Sequence, residues 1–142
     1  MKKYTIILSA LVLFVTSCEK ESIIGYEEVP AEIKSYVSTN FPQRVVLQAI
    51  KSKGHCDEAF EIKLDSNTTL EFNRKNEISE IESDMALPQA VIPINIWEYV
   101  TTNYSNNFIT DWSRDKHNQE VQLNDGLKLE FNKEGGFLRL DN

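Results

Sequence analysis

Cysteine is nearly absent from this 142-residue chain, with Cys18 and Cys56 the only two. Cys18 ends an apolar run, so one thiol remains and no internal disulfide can form. The fold has to be held by burial, and Cys56 reads as a small, half-buried apolar residue. Histidine is as sparse, with His55 and His117 alone, and no spaced pair of ligands marks a zinc site. Glycine is scarce, and neither a Gly-rich phosphate loop nor a serine-nucleophile motif is present. No apolar stretch reaches the roughly 20 residues that a spanning helix needs. Basic charge is also in deficit: 15 Lys and Arg stand against 22 Asp and Glu, a net charge of −7. Removing Lys2 and Lys3 with a cleaved leader deepens this to −9, which disfavours nucleic acid and direct binding to anionic lipid.

What is present begins with Met1-Lys2-Lys3 and an apolar run from Tyr4 to Val15. A short cationic start and about a dozen apolar residues are the parts of an export signal. Val15-Thr16-Ser17-Cys18 resembles the lipobox, which predicts a signal peptide over residues 1–17, lipid attachment at Cys18 and a tether over residues 18–28. Acyl chains on Cys18 would anchor the protein, since each buried methylene adds about 0.8 kcal/mol. Glu19 follows in place of an inner-membrane retention aspartate, so an outer membrane lipoprotein is expected, on the periplasmic face or at the cell surface. Membrane contact would then run through the lipid anchor only.

The rest of the chain reads as two copies of one unit. Pro30 to Phe41 matches Pro93 to Tyr104 at an offset of 63, with Pro, Ile, Tyr, Val and Asn coinciding. Further on, Glu61-Ile62-Lys63-Leu64 pairs with Glu120-Val121-Gln122-Leu123, and Leu70-Glu71-Phe72-Asn73 with Leu129-Glu130-Phe131-Asn132, at an offset of 59. Each copy opens on proline and then spaces apolar residues as one helical stripe: Ile33, Tyr36, Val37 and Phe41, then Ile96, Tyr99, Val100 and Tyr104.

After each helix the period changes to two, the mark of strands with one buried face. Phe60, Ile62, Leu64, Leu70 and Phe72 alternate with polar residues in the first copy, and Val121, Leu123, Leu127, Leu129 and Phe131 do so in the second. Asn124-Asp125-Gly126 predicts a hairpin turn. Flanking strands are expected at Val45 to Lys51 and Phe108 to Trp112, and again at Ile78 to Ile81 and Phe137 to Leu140. The fold class is therefore α+β, a tandem repeat of a helix followed by about four antiparallel strands. Residues 29–84 form the first repeat, 85–92 a linker and 93–142 the second. A helix covers one face of a sheet, and the other is left to solvent.

The block Glu120 to Gly135, of form Glu-Val-x-Leu-x-x-Gly-x-x-Leu-Glu-Phe-x-x-x-Gly, with Trp112 before it, carries a resemblance. From Val29 to its C-terminus the chain resembles the PepSY-like family of β-lactamase-inhibitor-like bacterial lipoproteins, of the Bacteroidota type. In the first copy Ala49 stands opposite Trp112, Thr68-Thr69 replaces the glycine turn, and Asn76 stands opposite Gly135. The resemblance implies a fold similar to that of the β-lactamase-inhibitor protein, with two sheets forming a curved surface. It implies no activity, because the inhibitor's contact loops and disulfides have no counterpart here and fold is a poor warrant for function.

Catalytic chemistry is not expected. His55-Cys56-Asp57 places its side chains on alternating faces of an extended segment, which does not favour a nucleophile and base pair. Glu77, Glu80, Glu82 and Asp84 read as a solvated strand edge, with no loop of closely spaced calcium ligands. Neither cofactor nor metal is expected. The open face should carry Glu61, Lys63, Glu71, Asn73, Glu120, Gln122, Lys128 and Glu130. Trp112 and Trp97 are either core residues or exposed anchors for a partner. The expected function is non-enzymatic: a lipoprotein that binds an unidentified envelope protein or peptide through its open sheet face. An inhibitor or chaperone-like regulator of a secreted peptidase or other hydrolase is the alternative, and an enzyme centred on Cys56 is the third class.

Overall fold

Pro30 and Pro93 each stand immediately before a ten-residue helix, α1 (Ala31–Asn40) and α2 (Ile94–Asn103). A proline fixes φ near its helical value and gives up an N–H that has no acceptor in the first turn. The computed structural model describes residues 20–53 and 58–141. The expected leader over residues 1–17, the expected attachment residue Cys18 and the triplet His55-Cys56-Asp57 lie outside the described residues.

Among the described residues nine strands follow one another in a single antiparallel sheet: β1 (Lys20–Ile24), β2 (Val46–Lys53), β3 (Glu58–Leu64), β4 (Thr68–Phe72), β5 (Ile78–Glu82), β6 (Ile109–Arg114), β7 (Asn118–Leu123), β8 (Lys128–Asn132) and β9 (Phe137–Asp141). α1 lies between β1 and β2 in the chain, and α2 between β5 and β6. The expectation of two sheets is corrected here, because β5 pairs directly with β6 through Glu80–Ser113, Ile81–Trp112 and Glu82–Asp111. Three opposed pairs join the five strands β1–β5 and the four strands β6–β9 into one surface. The tether is corrected as well: Lys20–Ile24 is a strand, paired with β2 from Lys20–Lys53 to Ile24–Ala49.

Alternation along each strand sorts the side chains onto two faces. One transverse row runs Ile24, Ala49, Ile62, Leu70, Ile81, Trp112, Val121, Leu129 and Leu140 across all nine strands. From Ala49 to Leu129 this row is buried under the helices, and the stripe residues Ile33, Val37, Ile96 and Val100 pack into the same continuous core. Leu87, Val91 and Ile92 are buried with them, so the connection between β5 and α2 is part of the core.

The turns show how different residues meet the same backbone demand. Gly126 turns between β7 and β8 at φ +88°, whereas Ser66 and Asn67 hold φ +56° and +51° between β3 and β4. The turn lies just before Thr68-Thr69, which belong to β4. Gly135 (φ +84°) and Asn76 (φ +61°) occupy corresponding turns. At Gly135 a Cβ would come within 2.9 Å of the Asn95 Cβ, while Asn95 Nδ2 donates to the Glu134 carbonyl at 2.9 Å. This hairpin is thereby clasped to the N-terminus of α2.

Candidate functional face

The sheet face away from the helices is assembled by register. A second transverse row runs Ile23, Ile50, Glu61, Glu71, Glu80, Ser113, Glu120, Glu130 and Arg139. Beside it lies a third, with Gln48, Lys63, Thr69, Glu82, Asp111, Gln122, Lys128 and Asp141. Acidic residues stand directly opposite one another at Glu61–Glu71, Glu71–Glu80 and Glu82–Asp111, an arrangement that costs free energy in a sheet.

The flanks of this face relieve that cost and the centre does not. Lys63 Nζ lies 3.1 Å from Glu61, Lys128 Nζ 2.9 Å from Glu120, and Arg139 Nε 2.5 Å from Glu130. Among the described residues, Glu71, Glu80, Glu82 and Asp111 enter no ion pair. Partial burial, and then the carboxylates around them, raise the Glu71 and Glu80 carboxyls above the usual carboxylate range. On the paired flank the Lys128 ammonium is raised, chiefly by its hydrogen bond to Glu120. The acidic centre runs at one end of the seam into a groove of about 840 Å³ lined by Glu82, Asp84, Thr110, Asp111, Gln122 and Asp125. There Asn67 Nδ2 donates to Asp84 at 2.7 Å and the Thr110 hydroxyl to Asp111 at 2.6 Å.

Of the residues singled out in the sequence, Glu61, Lys63, Glu71, Glu120, Gln122, Lys128 and Glu130 share this face. The two tryptophans do not. Trp112 is 4% exposed, in the row beneath the helices, and its indole N–H donates to Gln119 Oε1 at 3.0 Å. An exposed-anchor role for Trp112 is thus corrected. Trp97 is half-buried on α2, packed against the core on the helical side, and cannot join the sheet-face residues. Glu80, Glu82, Asp111 and Ser113 do not stand out as a site in the sequence. By sequence the acidic run reads as a solvated edge, but β5 lies at the middle of the sheet. Only the pairing of β5 with β6, across the whole of α2, places these residues together.

The comparisons with known proteins agree with this architecture. The profile of the family described as "Putative beta-lactamase-inhibitor-like, PepSY-like" matches twice, over residues 15–78 and 58–139. No curated protein matches the chain. Among solved structures, a "putative periplasmic protein" of the DUF2874 family from Bacteroides vulgatus is 28% identical, with a TM-score of 0.80 over 86% of this chain and 97% of its own. A second "putative periplasmic protein" from Bacteroides vulgatus is 26% identical, with a TM-score of 0.80 over 87% of this chain and 100% of its own. A "putative calcium-regulated periplasmic protein" from Bacteroides thetaiotaomicron is 25% identical, with a TM-score of 0.81 over 86% and 97% of the two chains.

Proposed function

The chain belongs to the PepSY-like, β-lactamase-inhibitor-like family, and from that premise and the open sheet face we propose that it is a non-enzymatic envelope lipoprotein that holds a protein or peptide partner on that face. The observation that carries this reading is the contrast between the charge-paired flanks and the unpaired centre at Glu71, Glu80, Glu82 and Asp111. Like charges left opposite one another are relieved by a partner that brings lysine or arginine to them. The partner segment is therefore cationic and lies along the β5–β6 seam, with its end in the adjoining groove.

Anchoring through Cys18 and a place in the periplasm or at the cell surface belong to the same reading, supported by the leader sequence and by the periplasmic names of the three relatives. So does a duplicated origin. Register shifts fall at corresponding points, between Val46 and Gln48 and between Ile109 and Asp111, then between Glu71 and Phe72 and between Glu130 and Phe131. Calcium regulation, which the Bacteroides thetaiotaomicron relative carries in its name, is not proposed for this chain. Among its described residues no three His, Cys, Asp or Glu side chains are grouped so as to hold a metal ion.

The test is affinity capture from envelope extract with the full chain, in parallel with Glu71→Lys/Glu82→Lys. Basic proteins retained by the parent and lost from the variant are expected. Retention of the same set by both would overturn the proposal.

A further inference from the structure

Among the described residues β9 is the last strand of the sheet, and none of them pairs with its outer edge. All five of its residues are exposed, including Phe137 (36%), Leu138 (49%) and Leu140 (43%). A strand edge that combines free backbone N–H and C=O groups with apolar side chains is a template for another strand. The opposite edge differs, because β1 begins with the polar residues Lys20, Glu21 and Ser22.

The chain contains its own precedent for how such an edge is used. β9 meets β8 as β5 meets β4: Leu140 opposes Leu129 where Ile81 opposes Leu70, and both pairings carry a register shift at the same point. On its other side Ile81 is covered by Trp112 of β6 and is fully buried. Leu140 presents the corresponding side chain with no strand of the described residues beyond it. Three opposed pairs suffice to join β5 to β6, so the short length of β9 is no obstacle.

We propose that a second copy of this chain docks along β9, antiparallel and about a two-fold axis at Leu140. The nine-stranded sheet thereby continues into that of its partner. The charges select this occupant and this register. With Leu140 opposite Leu140 of the second copy, Arg139 of each chain faces Asp141 of the other on the open face, and the two contacts are equivalent by symmetry. Both apolar rows meet on the helical side. The two open faces become one, with the acidic seams on either side of the axis. Pairing of like edges closes on itself, so the assembly stops at a dimer.

The test uses the full chain with Cys56→Ser, expressed in its own envelope. Opposed residues of antiparallel strands have Cα atoms about 4.5–5.5 Å apart, within the roughly 7 Å limit of a disulfide. Leu140→Cys should give a disulfide-linked dimer on a non-reducing gel. Arg139→Cys should not, because the two copies of residue 139 sit two positions out of register. Separately, Asp141→Arg sets Arg139 against arginine and should raise the dimer dissociation constant at least about tenfold, whereas Arg139→Asp/Asp141→Arg should restore it. Equal cross-linking of both cysteine variants, a parent that sediments as a monomer at every concentration, or failure of the double reversal to restore the dimer would overturn the proposal.

Discussion

Trp112 and Gln119 face each other across the β6–β7 hairpin, buried, with the indole Nε1 donating to the Gln119 side-chain oxygen at 3.0 Å. The amide nitrogen of Gln119 in turn donates to the Lys133 carbonyl at 3.1 Å. A buried glutamine thus satisfies the one polar atom of the largest core side chain and ties that hairpin to the next. Gln119→Leu should leave the indole N–H without an acceptor and cost about 1–3 kcal/mol. Urea melts followed by tryptophan emission measure this. No loss in the melts, or an equal loss when Trp112→Phe is already present, would show that the bond contributes nothing.

Ile62 and Val121 are both fully buried in the helix-covered row, whereas Lys63 points to the open face. Ile62→Ala should cost about 2–5 kcal/mol and Val121→Ala somewhat less. Lys63→Ala should change stability by less than about 0.5 kcal/mol. Denaturant midpoints that order these three the other way would mean that the faces are inverted.

Glu80 gives a pH-dependent prediction. Its folded carboxyl is raised above the ordinary 4.5, first by burial and then by Glu71, Glu82, Asp111 and Glu120. In the window between 4.5 and that raised value the folded state holds more proton than the unfolded state, so this carboxyl lowers stability as pH rises. Glu80→Gln should therefore melt at a higher temperature than the parent at pH 7, and the gap should close as pH falls through that window. A gap that widened on acidification would reverse the sign and contradict the environment described for Glu80.

Tyr36 packs edge-to-face on Phe72 with ring centroids 5.5 Å apart, and its buried hydroxyl has no hydrogen-bond partner among the described residues. Burial pushes its pKa up to about 12. Tyr36→Phe removes an unsatisfied polar atom and keeps the ring contact, so thermal melts should show it neutral or stabilised by up to about 1 kcal/mol. A loss of stability would reveal a partner for the hydroxyl.

Much of this fold is legible in the sequence because burial imposes a period. Ile33, Val37, Ile96 and Val100 repeat as a helix requires, and Phe60, Ile62 and Leu64 repeat as a strand requires, so helices and central strands fall within a residue or two of expectation. What stayed illegible was set by contacts distant in the chain. Lys20–Ile24 has no alternation and becomes a strand only because β2 offers an edge. Periodicity marks β5 as a strand but cannot say whether it lies at an edge or in the middle, and so the acidic run reads as solvated in the sequence alone. The same ambiguity left Trp112 open between core and surface, which its pairing with Ile81 and its bond to Gln119 resolve.

Docking of a partner on the open face is tested most directly by position-specific photo-crosslinking in living cells. A photoreactive residue at Ser113, opposite Glu80 at the centre of that face, is compared with one at Ser35, exposed on α1. Discrete adducts to a basic protein are expected from Ser113 and not from Ser35, and they should disappear when Glu71, Glu80 and Glu82 are all changed to glutamine. Absence of adducts at Ser113, or the same adducts from both positions, would contradict docking on the open face.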